Sequence, residues 1–303
     1  MTAFAGMTMD DGLRRNDGGR ICDNRLVIAL IDSHSHFDDP EFDADREAAL
    51  SRARAAGVTR QIIPAIAVSN FEKVRALCSA DSGLFAAYGL HPMLIAEHER
   101  AHIDELARWI EREKPVALGE CGLDFWIEGL DRDTQRDVFE RQLALAKDFD
   151  LPVILHARRA FDDVAAALRR IGGLRGVVHS FSGSEEQAQQ FFRLGFHLGI
   201  GGPVTYERAK RLRAIVASMP IEWLLLETDS PDQPLSGHRG ERNEPAFMAE
   251  VLDVIAALRG ESREAVGEAT TRNCEMLFAL STVRANDWTT ENTKNSEKQN
   301  NRT

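Results

Sequence analysis

Short apolar runs recur along the chain, separated by stretches long enough to form a helix. Eight runs are present, at residues 26–31, 61–64, 84–88, 116–119, 153–155, 176–178, 196–200 and 223–226. They are mostly apolar instead of alternating with polar residues, which is typical of strands covered on both faces. The runs therefore predict the strands of a buried sheet.

Amphipathic helical patterns lie between the predicted strands. Five of them occupy residues 43–56, 133–149, 161–171, 184–194 and 206–219. Three are followed by Gly57, Gly172 and Gly195, and glycine readily adopts the left-handed conformation that ends a helix. Alternating strands and helices predict right-handed βαβ units and a parallel sheet.

The number of strands selects the fold class. Eight strands over about 250 residues match an α/β (β/α)8 TIM barrel in count and length. The alternative is a doubly wound open sheet. No phosphate-binding glycine motif follows the first strand, where Asp32-Ser33-His34-Ser35-His36 stands instead, which argues against a nucleotide-binding Rossmann unit. We expect one barrel domain over residues 26–280.

The two ends differ from this central part. Residues 1–25 have no periodicity and no apolar segment of a signal peptide, so they are predicted to be a disordered extension or to reflect an upstream start site. Residues 281–303 are rich in Thr, Asn, Lys and Glu, which predicts a disordered polar tail. No stretch approaches the roughly 20 apolar residues of a membrane span.

The net charge and the cysteines limit which binding partners and which cellular compartment we expect for the protein. The formal net charge is −11, so a nucleic-acid substrate would have to be held locally and transiently. The four cysteines form no CxxC pair, which favours a reducing cytoplasm. Cys121 adjoins a motif described below, but its isolation disfavours a nucleophilic role. The sequence indicates neither a membrane association nor a stable protein partner.

Residues that commonly bind metals follow the predicted strands repeatedly. They are His34, His36, His91, Glu120, His156, His179 and Asp229. The chain has nine histidines, and five of them stand at strand ends. Functional groups of barrel enzymes sit at the carboxyl ends of the strands. The pattern therefore predicts a metal site at the C-terminal face of the barrel.

The spacing of the first two histidines has a physical meaning. Residues i and i+2 of an extended chain point to the same side, so His34 and His36 can share one cation. Glu120 can bridge two cations, and Asp229 can close the first site and orient or deprotonate a water. Histidine and carboxylate ligands suit Zn, Mn or Mg, with Zn favoured by the imidazoles.

Six ordered motifs resemble those of the TatD family of metal-dependent deoxyribonucleases, within the amidohydrolase-like superfamily. They lie at residues 31–38, 89–92, 119–124, 152–158, 178–183 and 226–231. The likeness extends over residues 31–280, and 231–237 followed by Asn243 are most similar to the YjjV-type branch. Many relatives have Cys where this chain has Ser35, and many have Arg where it has Glu244.

The resemblance implies two divalent metal cations. His34, His36, Glu120 and Asp229 would hold the first, and Glu120, His156 and His179 the second. It also implies hydrolysis of DNA phosphodiester bonds from a free end by a metal-activated water. Glu120 and Asp229 are the expected catalytic residues, with Asp229 as general base or water-orienting group.

Further polar residues near these motifs have weaker signals. His91 is a candidate hydrogen-bond partner of a metal ligand or a candidate contact for a substrate phosphate, and Arg158 is a candidate phosphate contact as a bidentate donor. Their alternative roles are a helix-starting loop histidine and a rim salt bridge. Glu227 should face the same side as Asp229 and orient a histidine, whereas Asp38 and Asp124 are interpreted as carboxylates that order their loops.

Two other functions compete with DNA hydrolysis. The same ligands serve a hydrolase of a small-molecule ester, amide or lactone equally well. Glu120 at the end of the fourth strand, in place of the bridging lysine of many superfamily members, favours a nuclease. A metal-bound interaction protein without catalysis is the second alternative, and a ligand set with open positions argues against it.

Overall fold

The computed structural model describes residues 28–280, and eight parallel strands form its centre. Each strand pairs with the next in sequence order, from β1 to β8. At the end of the last strand, the carbonyl of Leu226 accepts a hydrogen bond from the Ser33 N–H at 3.0 Å, which brings the end of the sheet next to its beginning. The predicted (β/α)8 barrel is confirmed, and the open-sheet alternative is excluded.

The strands are close to the predicted runs. They are β1 Leu30–Asp32, β2 Val58–Pro64, β3 Leu84–Tyr88, β4 Ala117–Asp124, β5 Val153–Arg158, β6 Gly176–Val178, β7 Phe196–Ile200 and β8 Leu224–Leu226. The fourth strand extends five residues past its predicted end, so that Glu120 and Asp124 belong to the strand and not to a loop. Both predicted tails, at 1–25 and 281–303, lie outside the described residues.

Nine α-helices are found in the described part of the chain. They are α1 Arg46–Ala55, α2 Val68–Ala80, α3 Ala101–Glu113, α4 Arg132–Asp148, α5 Phe161–Ile171, α6 Glu185–Arg193, α7 Lys210–Ser218, α8 Met248–Arg259 and α9 Arg263–Phe278. Four of these, α2, α3, α8 and α9, were not among the five predicted helices. None of the helices in residues 28–280 is long and apolar enough to cross a membrane.

The barrel interior is filled by apolar side chains, and the polar site lies above them. Alternate strand residues face inward, among them Ile31, Ile62, Ile154 and Leu225, and they pack against Phe278 of α9. The candidate metal ligands follow inward-facing positions in the sequence by two to five residues. The neighbouring strand residues face outward and form the larger core with the surrounding helices.

Candidate metal centre

Glu120 lies at the middle of the predicted ligands, and its two carboxylate oxygens face different histidines. Its Oε2 lies 3.2 Å from His34 Nε2 and 3.3 Å from His36 Nε2. Its Oε1 lies 3.0 Å from His156 Nδ1 and 2.8 Å from His179 Nε2. A single carboxylate therefore connects two groups of donor atoms.

The first group is completed by Asp229, which follows β8. Its Oδ1 lies 3.4 Å from His34 Nε2 and 3.6 Å from His36 Nε2, and the two histidine Nε2 atoms are 3.2 Å apart. The other Asp229 oxygen accepts a hydrogen bond from the Gln233 side-chain amide. The four side chains thus converge as the i, i+2 spacing and the barrel geometry predicted.

The second group lies on the other side of Glu120. His156 lies within β5, and His179 directly follows β6, so the two come from neighbouring strands. Their ring nitrogens, Nδ1 of His156 and Nε2 of His179, are 3.4 Å apart. The His179 ring also stacks on that of His34 with centroids 4.0 Å apart, which fixes the spacing between the two groups.

Backbone and side-chain contacts hold β1 and the segment after β8 together beneath the ligands. Asp32 accepts hydrogen bonds from the N–H of His34 at 3.2 Å and of Thr228 at 3.0 Å. Ser35 Oγ lies 3.0 Å from Ser230 Oγ, in the protein interior. The serine between the two histidines therefore points away from them, as expected from the extended chain.

The chemistry of these atoms fits a bound divalent cation. Glu120 Oε2 faces the centre, is buried and has no well-directed hydrogen bond to the described residues. Ring nitrogens and carboxylate oxygens of different side chains approach one another at 2.8–3.6 Å, so one cation between them can contact several of these atoms at once. Nitrogen and oxygen donors in this combination match Zn, Mn or Mg.

The pKa values show that the group attracts positive charge. Burial disfavours a charged imidazole, yet Glu120 and the neighbouring aspartate raise the pKa of His36 to about 9 and that of His179 to about 10. Burial, together with the positive charge of His179, lowers the pKa of His34 to about 4. Burial alone would raise the pKa of Glu120, but the surrounding imidazoles hold it well below its usual range.

His156 has its second ring nitrogen bound to a carboxylate that sequence reasoning assigned to loop order. Asp124 Oδ2 lies 3.1 Å from His156 Nε2. The Asp124 carboxylate accepts a hydrogen bond from the protonated Nε2 of His156. The unprotonated Nδ1 then directs its lone pair at the centre. Asp124 also orders its loop as predicted, because Oδ1 accepts from the N–H groups of Trp126 and Ile127.

His91 also reaches the centre, but its hydrogen bonds indicate that it donates a proton there instead of a lone pair. Its Nδ1 accepts a hydrogen bond from the Met93 N–H at 3.2 Å. The neutral ring therefore carries its proton on Nε2, which lies 3.0 Å from Glu120 Oε1 and 3.1 Å from His156 Nδ1. A proton on this nitrogen makes His91 a hydrogen-bond donor toward the centre, although its position alone would also suit a ligand.

Glu227 is buried beside the second group. Its Oε1 accepts a hydrogen bond from the Ser180 N–H at 2.6 Å and lies 3.9 Å from His179 Nδ1. Burial raises the pKa of Glu227 to about 8. A Cβ at Gly199 would lie 2.0 Å from Glu227 Oε2, so only glycine leaves space for this side chain. The predicted orientation toward a histidine agrees with these contacts.

A cavity of about 870 Å³ opens above the centre. Its lining includes His36, His91, Glu120, His156 and Arg158. Arg158 is half exposed, and its Nη1 lies 4.0 Å from Asp124 Oδ2, so it combines a long-range ion pair with access to the cavity. Cys121 is buried, and burial raises the pKa of its thiol, which makes it an unsuitable nucleophile.

Two contacts of the site could not be recognised in the sequence. Asp32 was part of the first motif but received no role, and its contact with Thr228 joins segments 196 residues apart. Asp124 reaches His156 only because Gly122 and His156 are partners in the register of β4 and β5. The spacing of residues along the chain does not reveal which residues pair across two strands, so the only sequence signal was that both residues follow a predicted strand.

Comparison with known proteins agrees with the fold and with dependence on a metal. The TatD-related DNase family matches residues 31–279. The uncharacterized metal-dependent hydrolase YjjV of Escherichia coli (strain K12) is 43% identical over 256 residues, covering 84% of this chain and 99% of YjjV. The crystal structure of YjjV, a TatD homologue, has a TM-score of 0.80 with 42% identity, and the match covers 84% of this chain and 100% of that one.

A further relative bears a more specific name. The 3'-5' ssDNA/RNA exonuclease TatD of a Pantoea species (strain At-9b) is 35% identical over 259 residues, covering 83% of this chain and 100% of the exonuclease. The matches to both relatives span nearly the whole length of each. The chain therefore belongs to the TatD-related DNase family of metal-dependent hydrolases.

Proposed function

We propose that the protein is a phosphodiesterase that removes nucleotides from a free end of DNA, using two divalent cations held by the centre. The observation that carries the proposal is the position of Glu120, whose two oxygens face separate groups of donor atoms at 2.8–3.3 Å. His34, His36 and Asp229 would complete one ion's ligands, and His156 and His179 the other's. The exonuclease name of the Pantoea relative supports the choice of substrate.

When bound, the cations would activate a water at neutral pH and neutralise charge on the phosphoryl oxygens. Asp229 would orient that water or accept its proton, because one carboxylate oxygen faces the centre while Gln233 holds the other in place. Its side chain lines the open cavity, so a substrate can approach it.

Two residues would bind the phosphate. His91 presents a proton on Nε2 to the cavity floor, since the Met93 N–H occupies its other nitrogen. The Arg158 guanidinium is a planar donor at the cavity wall, suited to two oxygens of one phosphate. Both would bind the substrate through charge-assisted hydrogen bonds rather than through base contacts, so we expect little sequence preference.

We further propose that residues 26–280 form a single barrel domain and that the protein acts in a reducing compartment such as the cytoplasm. The unpaired cysteines Cys78, Cys121 and Cys274 of the described residues support this location.

The decisive experiment is a digest of end-labelled DNA with added Mg, Mn or Zn. We expect shortening from one end, its loss on addition of EDTA, and a loss of at least about 100-fold in Glu120→Ala, since this change removes a ligand of both ions. Glu128→Ala, an exposed residue of the β4–α4 loop, is the matched control. Full metal-dependent activity in Glu120→Ala would contradict the dinuclear account.

A hydrolase of small esters, amides or lactones is the main competing function, because metal-activated water attacks all of these bonds. Generic esters and lactones tested beside oligonucleotides discriminate the two, since a nuclease should have a much higher kcat/KM on the oligonucleotide. Absence of turnover on every substrate by metal-loaded protein would favour a non-catalytic interaction protein.

A further inference from the structure

An exposed tryptophan lies beside Arg158, which lines the cavity. Trp126 lies in the loop after β4, at the same face of the barrel as the metal ligands, and its side chain is 48% exposed. Its backbone N–H donates a hydrogen bond to Asp124 Oδ1 at 2.9 Å. The same carboxylate contacts His156 through its other oxygen, so the loop that carries the ring is tied to the centre.

Two arginines flank this ring. The guanidinium carbon of Arg159 lies 3.8 Å from the ring centroid, and that of Arg158 lies 5.0 Å from it. Both arginines are exposed, and Arg158 also lines the cavity. No carboxylate of residues 28–280 lies within ion-pair distance of Arg159, and its backbone adopts a left-handed conformation with φ 54°. This conformation is unfavourable for a residue other than glycine, and such strain concentrates at functional positions.

The combination is chemically suited to a nucleotide. Arg159 covers part of the ring, and the exposed remainder can stack on any nucleobase, because every base has a π-face, while the guanidinium groups bind phosphates. A short series of contacts joins the ring to the centre: 3.1 Å from His156 to Asp124, 4.0 Å from Asp124 to Arg158, and then the contact of Arg158 with the ring. The ring is therefore linked to the centre through Arg158, Asp124 and His156.

We propose that Trp126, with Arg158 and Arg159, is a base-stacking subsite that binds an unpaired nucleotide next to the metal centre. The inference rests on the proposed nuclease function and gives a physical reason why the protein would bind single-stranded DNA in preference to a duplex. Paired bases of a duplex are stacked inside the helix and cannot lie on the ring, so a duplex would have to fray at its end first.

Binding without turnover tests the subsite directly. The probe is a fluorescein-labelled 12-nucleotide oligo(dT), measured by anisotropy in the presence of EDTA. We expect Trp126→Ala to raise its Kd about tenfold, within the range that one base–aromatic stack contributes, and Trp126→Phe to raise it less than about threefold. Met276→Ala, which removes another exposed apolar side chain, should leave Kd unchanged.

An abasic version of the probe separates stacking from a structural effect. If the ring binds a base, removing the bases should weaken binding to the wild type and leave the Trp126→Ala variant nearly unaffected. Equal weakening of both proteins would overturn the subsite, because the ring would then act only by holding the arginines. A tenfold loss in Trp126→Ala that is equally large for blunt duplex DNA would overturn the selection of single strands.

Kinetics distinguish failure of this inference from failure of the proposed function. With metal present, we expect Trp126→Ala to raise KM on oligo(dT) about tenfold while kcat changes little, and we expect the wild type to hydrolyse both oligo(dT) and bis(4-nitrophenyl) phosphate. Wild-type protein that binds oligo(dT) through Trp126 but cleaves neither compound would retain the subsite and refute the nuclease. Normal cleavage with wild-type Kd in Trp126→Ala would retain the nuclease and refute the subsite.

Discussion

The Nε2 atom of His156 lies 3.1 Å from Oδ2 of Asp124, so the imidazole is held between two carboxylates. Its other nitrogen, Nδ1, lies 3.0 Å from Oε1 of Glu120. A carboxylate on the outer nitrogen fixes the tautomer and makes the inner nitrogen a better electron-pair donor. Asp124 therefore acts on the centre through His156.

We expect Asp124→Asn to weaken binding of one cation about 10- to 100-fold, the usual effect of removing such a partner. Titration of metal-free protein against a competing chromogenic chelator measures this affinity. Asp131→Asn is the matched control, because Asp131 caps α4 in the same loop, touches no ligand, and asparagine is an equally good cap. Equal affinities in wild type and Asp124→Asn would show that the carboxylate serves only loop order.

The number of bound ions provides a second test. Wild-type protein should bind two equivalents of metal, because Glu120 separates two groups of donor atoms. His156→Ala should retain about one equivalent, since the group containing His34, His36 and Asp229 stays intact. Metal content after gel filtration, measured by mass spectrometry, gives the stoichiometry. One equivalent in the wild type would refute the dinuclear centre but not the metal dependence.

The β/α rhythm and the convergence of the ligands were predictable because both follow from local sequence. In a parallel barrel all carboxyl ends meet at one face, so residues after strands, such as His34 and His179, become neighbours whatever their separation in the chain. The spacing of Leu106, Trp109 and Ile110, at i, i+3 and i+4, is also typical of a helix, although α3 was not among the predicted helices.

The missed contacts depend on three-dimensional packing. Asp124 reaches His156 through the register of two strands, and Glu227 fits only because Gly199, on another strand, has no side chain. The proton position on His91 depends on a backbone N–H of Met93, which is set by the turn after β3. A single sequence contains no information on register or on tautomers, so these features required coordinates.

Asp32 predicts a pH dependence of stability. Burial raises the pKa of this carboxyl to about 7, against hydrogen bonds from Thr228 and His34 that lower it. The folded protein therefore keeps a proton that the unfolded chain releases near pH 4, so this contribution to stability is complete below that pH and is lost as the pH rises to about 7. The slope is at most about 1.4 kcal/mol per pH unit.

Urea unfolding of metal-free wild type and Asp32→Asn between pH 4.5 and 8 measures the effect. The amide cannot ionise, so we expect the wild type to lose stability relative to Asp32→Asn as the pH rises, while contributions of all other groups cancel in the difference. A difference in unfolding free energy that is independent of pH would contradict the raised pKa.

Glu244 occupies a position where many family members have arginine, and the structure gives it a role in the scaffold. Its carboxylate accepts two hydrogen bonds from Arg52, at 2.7 and 2.8 Å, and one from Arg242 at 2.6 Å. Arg242 also binds Asp45 and packs over the ring of Phe42. The arginines hold the pKa of the half-buried Glu244 carboxyl below its usual value, against the effect of burial.

Glu244→Arg should therefore destabilise the protein instead of restoring a substrate contact, because it places a third guanidinium beside two others. We expect a loss of about 1 to 2 kcal/mol, between the values of exposed and buried ion pairs, and a fall in Tm of roughly 2 to 8 °C. Glu268→Arg, at an exposed position of α9, controls for the added charge and should leave Tm nearly unchanged.

Since Glu244 does not line the cavity, kcat/KM on oligonucleotides should stay within about threefold of the wild type at a temperature where both are folded. A lower KM in Glu244→Arg without loss of stability would instead show that an arginine here binds substrate.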